Sequence, residues 1–203
     1  MVYKICFSST HGVGKTALAA YVEGNLIFGR GVRKVKRIEE LSTRARDSGL
    51  PINENTTLAA QMWIQHQQFA DEIFNTEART TSPPNEVVIC DRGPENYCYL
   101  KRRFGENESA LQMTLGHLKW FPYSRIYLLP IVTGSSLVDD GVRSVDFAFQ
   151  QEMDQEIRQF FNKYSIEHIE LPQPKEDFRS DWGKMVVNQT LKDLNKPEEY
   201  LIR

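Results

Sequence analysis

Cysteine is scarce in this chain: three in 203 residues, Cys6, Cys90 and Cys98. An odd number without paired spacing excludes a disulfide framework and a cysteine-built zinc site. Cys6 and Cys90 stand in apolar, strand-like runs and read as small core residues. His66, His117 and His168 are scattered without ligand spacing, so no zinc site is expected from them either. A strong charge of one sign is also missing. The net charge is −2, which gives no global pull toward nucleic acid or an acidic membrane. No apolar run approaches membrane-spanning length, and the first strand begins without a signal peptide before it. A cytoplasmic location with no membrane partner and no nucleic-acid partner is the expectation. An Asn-Lys-x-Asp guanine-reading motif is absent, which counts against a GTPase but not against an ATPase.

Apolar residues make up 40% and charged residues 26%, ordinary values for one globular domain spanning 1–203. Strand-like runs at 2–7, 34–38, 86–91, 124–130 and 165–171 alternate with helical patterns. That alternation predicts an α/β protein with a parallel sheet. Helices are expected over 55–77, 95–103, 107–120, 146–163 and roughly 179–194, with Asp146 or Ser144 capping the fourth. A basic run, Arg30, Arg33, Lys34, Lys36 and Arg37, reads as the coat of a solvated strand edge or loop.

The most informative stretch is Ser9-Thr-His-Gly-Val-Gly-Lys-Thr16, between the first strand and an incipient helix. This is the setting of a phosphate-binding loop, where backbone N–H groups and a helix N-terminus cradle phosphates. Thr10, His11, Gly12, Val13, Gly14, Lys15, Thr16 and Ala17 form the expected nucleotide-binding set. Lys15 would reach the β/γ-phosphates and Thr16 would ligate Mg²⁺. Ser9 occupies the position where a first glycine is usual. The third strand ends in Asp91-Arg92-Gly93, and a carboxylate there would meet Mg²⁺ opposite Lys15 and Thr16.

These features, with the later Asp139-Asp-Gly-Val-Arg143-Ser segment, resemble the P-loop nucleoside and nucleotide kinases. The pattern is similar to the thymidylate kinase-like group and to the ATPase branch that includes ribosylnicotinamide kinase domains. The resemblance implies a three-layer α/β/α fold with a five-stranded parallel sheet in order 2-3-1-4-5. It also implies a small lid at about 131–145, and ATP with Mg²⁺ as phosphoryl donor. By the same resemblance Asp91 coordinates the metal or helps activate the acceptor, and Arg92 steadies a phosphate. Arg143 would close over the transferring group. The acceptor would lie between the end of the second strand and the long helix. There Glu39 or Glu40 could take a hydroxyl proton and Arg44 or Arg46 could hold an anion. Gln61, Gln65 and Gln68 share one helix face, and Gln61 or Gln65 is the candidate base reader. For Arg102 and Arg103 a plain surface role is favoured. The expected function is ATP-dependent phosphoryl transfer to a nucleoside, nucleoside monophosphate or related metabolite. The alternative is a P-loop ATPase acting as a regulatory switch. A homodimer is left open.

Overall fold

Among the described residues five short strands are separated by one or two helices each, seven α-helices in all. The computed structural model describes residues 2–52, 55–77, 84–132, 146–175 and 177–202. The strands are β1 (Tyr3–Ser8), β2 (Val35–Ile38), β3 (Val87–Cys90), β4 (Arg125–Leu128) and β5 (Ile169–Glu170). The helices are α1 (Lys15–Ile27), α2 (Leu41–Asp47), α3 (Leu58–Thr76), α4 (Asn96–Phe104), α5 (Glu108–Trp120), α6 (Phe147–Lys163) and α7 (Phe178–Asp193). The strands pair in the order β2-β3-β1-β4-β5, parallel throughout. This is the order expected.

Alternation along the strands divides the core in two, because successive side chains point to opposite faces. Ile5, Phe7, Val87 and Ile89 pack with Leu18 and Val22 of α1 and with Trp182, Val186 and Val187 of α7. Cys6, Val88, Cys90, Ile126 and Leu128 face the other way, against Tyr97, Leu100, Leu111, Met153 and Phe161. All three cysteines are free and buried. The central strands are covered on both faces, which explains their continuous apolar runs.

Local signals set the ends of several elements. Asp146 caps α6, its Oδ1 accepting from the Ala148 and Phe149 amides at 2.9 and 3.3 Å. Thr57 and Asn107 do the same for α3 and α5 through the Ala60 and Ala110 amides. Gly105, at φ 81, closes α4 where Phe104-Gly105 breaks the pattern. The basic run borders β2, an edge strand, and is partly neutralised by Arg37–Glu23 at 2.9 Å and Arg33–Glu86 at 3.9 Å. Positive charge on an edge strand discourages pairing with another chain.

One expectation needs correction: β5 spans two residues rather than the seven of 165–171. The buried face of α3 is largely polar, comprising Gln65, Gln68, Glu72 and Asn75 beside Ala60, Ile64 and Phe69. Residues 133–145, which hold most of the expected lid and Arg143, lie outside the described residues. Among the described residues no helix is long and apolar enough to cross a membrane.

Candidate active site

Parallel strands deliver their C-terminal ends to one edge of the sheet, so the segments after β1, β2 and β3 converge there. The segment after β1 turns through Gly12 and Gly14, at φ 71 and 94, values that glycine adopts without a Cβ penalty. Gly14 caps α1 without a side-chain acceptor, and the first turn holds no acidic residue. The helix therefore begins with amide donors aimed at the loop, the arrangement that receives a phosphate.

Lys15 is 4% exposed and folds back over its own loop. Its Nζ donates to the Ser9 carbonyl and Ser9 Oγ, both at 3.1 Å, and to the Thr10 carbonyl at 2.6 Å. The serine in place of glycine thus supplies an extra acceptor. Burial lowers the Lys15 pKa to about 7, and the Arg92 charge adds to that effect. Glu40, Glu95 and Asp91 oppose it. Thr10 and Val13 are buried, Thr16 is half-buried and Ala17 is exposed.

Asp91 is fully buried at the end of β3, and no hydrogen bond of ordinary geometry reaches either carboxylate oxygen. Desolvation raises its pKa, with Glu40 adding to the rise. The nearby Thr16 hydroxyl, Lys15 and Arg92 pull it down. A buried carboxylate without a hydrogen bond of ordinary geometry, beside a threonine hydroxyl, is a donor set that suits a hard divalent cation completed by water and phosphate oxygens. Glu95, also fully buried, accepts from the Gly93 amide at 2.9 Å. Burial raises its pKa as well. Sequence reasoning missed Glu95, although its place four residues after Asp91 on the same connection was a usable signal.

Arg92 points sideways from the loop. Its Nε donates to Glu40 Oε1 at 2.8 Å, and its guanidinium lies 4.7 Å from the centre of the Tyr99 ring. Ser42 Oγ donates to the same Glu40 oxygen at 2.8 Å. Glu40 keeps the guanidinium charged against the cost of its burial. Glu39, by contrast, turns outward and is largely exposed, with Arg37 at 3.3 Å.

The Arg92–Glu40 pair lines a cavity of about 460 Å³ beside the phosphate loop. His11, Tyr99 and Phe149 form an aromatic side of it. The His11 and Phe149 rings stack at 5.3 Å between centres, and Tyr99 meets each edge-on at 6.5 Å. Ile52, Ile64, Thr56 and Gln61 line it further along, and Asn96 stands at the start of α4. Gln61 donates to Thr56 Oγ1 at 2.9 Å.

The sequence-derived acceptor set separates here. Glu40 and Gln61 line the cavity; Gln65 and Arg44 do not. Gln65 is 1% exposed and donates to the Ala110 carbonyl at 2.8 Å and to Thr114 Oγ1, tying α3 to α5. Arg44 is exposed, paired with Asp71 at 3.0 Å and set over Trp63. Arg46 also lies at the surface, beside Asp47. Arg102 and Arg103 are exposed, as favoured for them, and also line the cavity, and Arg102 pairs with Glu152 of α6 at 2.7 Å. Their place at the end of α4, six and seven residues or just under two turns beyond Asn96, carries them to the rim.

Solved structures share the fold, two NadR structures and a deoxyadenosine kinase among them. The NadR protein in complex with NAD and AMP-PNP has a TM-score of 0.67 at 10% identity, covering 95% of this chain and 49% of that one. The NadR protein in complex with NR gives 0.69 at 12%, covering 94% and 51%. This chain therefore spans about half the length of those proteins. A deoxyadenosine kinase from M. mycoides, with products dCMP and a flexible dCDP bound, gives 0.59 at 12%, covering 94% and 99%. No curated protein matches the sequence. A family model described as an AAA domain matches residues 4–179, from β1 through the start of α7 and across every strand described above. With its phosphate loop, buried Asp91 and 2-3-1-4-5 sheet, the chain belongs to the AAA domain family and has a P-loop kinase fold.

Proposed function

We infer that the protein transfers the γ-phosphoryl group of ATP to a hydroxyl or phosphate of a nucleoside, nucleoside monophosphate or related small metabolite. The observation that carries this reading is the cavity beside the phosphate loop. It joins the Arg92–Glu40 pair to an aromatic side and measures about 460 Å³, room for a small heterocyclic molecule. A switch that only hydrolyses ATP has no need of such a compartment.

Lys15 and the α1 amides would hold the donor phosphates, and Thr16 and Asp91 would hold Mg²⁺. That ion, when bound, neutralises charge on the β- and γ-phosphates. Glu40 would take the proton of an attacking hydroxyl as its oxygen bonds to the γ-phosphorus. The bond from that phosphorus to the β,γ-bridging oxygen breaks, and ADP leaves. Arg92 steadies the transferring or accepting phosphate, and Arg143 of the expected lid completes charge neutralisation and excludes water. His11, Tyr99 and Phe149 offer faces for a planar ring, and Gln61 and Asn96 offer amide edges to read it. The NadR and deoxyadenosine kinase structures, with their bound nucleotides and nucleosides, support a ligand of this class.

The deciding measurement is Mg²⁺-dependent ADP release from ATP across nucleosides, nucleoside monophosphates and nicotinamide riboside, with Lys15→Ala as blank. Stimulation by one acceptor class, lost in Lys15→Ala, is the expected result. Equal ADP release with every acceptor and with none would replace the transferase reading by an ATPase switch.

A further inference from the structure

Behind the cavity lies a buried polar cluster that no step of the proposed transfer uses. Glu72 of α3 is fully buried. Its Oε2 accepts from Lys4 Nζ of β1 and His117 Nε2 of α5, both at 2.8 Å. Its Oε1 accepts from the Tyr123 hydroxyl at 2.6 Å and from Gln68 Nε2 at 2.7 Å. His117 and Lys4 hold its pKa down at about 2 despite complete burial, which alone would raise it.

Gln68, one turn earlier on α3 and 1% exposed, links this cluster to the active-site edge. Its Nε2 also donates to the Arg92 carbonyl at 3.0 Å. Both partners can only accept, so the amide orientation is dictated and its two hydrogens serve two acceptors. Arg92 is a non-glycine residue at φ 124, a backbone state that costs energy and persists only where its surroundings hold it. Gly93 stands in a crowded site. A Cβ there would meet Cys6 Sγ at 2.6 Å and the Tyr123 hydroxyl oxygen at 2.7 Å. That hydroxyl is the one bonded to Glu72.

We propose that Gln68 and Glu72 are positioning residues for Arg92. Through Gln68 one carboxylate holds the carbonyl of the strained residue whose guanidinium is aimed at Glu40 and across Tyr99, and it fixes the Tyr123 hydroxyl that crowds Gly93. Neither Gln68 nor Glu72 lines the cavity, so each acts only through the Arg92–Gly93 backbone. This role rests on the phosphotransferase reading, in which a small displacement of Arg92 costs rate rather than ATP binding.

The test uses Gln68→Met, which keeps the volume and removes both donations. It is combined with Arg92→Ala, alone and together, and compared with Val186→Ala in the core on the opposite face of the sheet. Gln68→Met should lower kcat roughly tenfold or more with the KM for ATP within about twofold. It should also speed amide exchange over residues 91–96. In the Arg92→Ala background it should cost nothing further, since the two residues act as one unit. Val186→Ala should lower the melting temperature and leave kcat unchanged. Full additivity of Gln68→Met with Arg92→Ala, or a Gln68→Met kcat equal to that of Val186→Ala, would overturn the proposal. If the wild-type protein shows no acceptor-dependent transfer, the transferase reading fails by itself. Unchanged exchange at 91–96 in Gln68→Met would then still overturn the clamp.

Discussion

Lys15 shows how much a single side chain is asked to do. It is an amino group almost sealed from water, its hydrogens taken up by two carbonyls and the Ser9 hydroxyl of its own loop. Its pKa of about 7 lies well below the ordinary lysine value of 10.5, because burial penalises the charged form. Bound phosphates would restore the charged form, so nucleotide binding above pH 7 must draw a proton from solution. The sign follows from linkage: the free protein binds fewer protons than the complex, so affinity falls as pH rises above about 7. Calorimetric titration of ATP in buffers of different ionisation enthalpy should give an uptake approaching one proton at about pH 9. No uptake there would mean that Lys15 is already charged in the free protein.

At the scale of elements, the connection from β3 into α4 concentrates the chemistry. Within five residues it places a buried Asp91, an Arg92 at positive φ, a crowded Gly93 and a buried Glu95. Gly93 needs no unusual φ. Its constraint is space, because any Cβ would push into Cys6 and Tyr123, and both of those are packed from behind. Gly93→Ala should therefore destabilise the fold by about 1–3 kcal/mol, the cost of overpacking a tight site. Urea denaturation checks this, and an unchanged midpoint would show that Tyr123 can step aside. Helix α3 offers a second case. Its row of Gln61, Gln65, Gln68 and Glu72 looks like a solvated face in sequence, yet it runs inward from the cavity wall to the centre of the molecule.

At the scale of the whole molecule, the two faces of the sheet divide the labour. The side of α3, α4 and α6 carries the cavity, while α1 and α7 close the opposite core. Trp182 of α7 is fully buried there, and its indole N–H donates to the Pro172 carbonyl at 2.7 Å. It lies beyond the segment that the AAA domain family model matches. Trp182→Ala should cost about 3–5 kcal/mol, the range for emptying an aromatic site in a core. Chemical denaturation followed by circular dichroism measures it. A loss below 1 kcal/mol would mean that α7 is an accessory to the fold rather than one wall of its core. The tail returns over the same face, with Lys196 bound to Glu86 at 2.6 Å and Tyr200 packed against Gly31.

What the sequence determined by itself is local and repetitive. Strand-length apolar runs, Gly12 and Gly14 before Lys15-Thr16, the cap at Asp146 and the break at Phe104-Gly105 all act within a few residues, so their chemistry is legible in order. The sheet order was reached through resemblance rather than periodicity, because nothing in a strand's own residues names its neighbour. The tertiary structure alone decided which polar residues face the cavity. Glu40 turns inward and Glu39 outward by a single step of the chain. Gln61 reaches the cavity while Gln65 is consumed in tying α3 to α5. Lys4, an apparent flaw in an apolar strand, meets Glu72 at 2.8 Å across 68 residues of sequence. A buried charge is stable only with a partner, and that partner is supplied by packing between elements far apart in the chain.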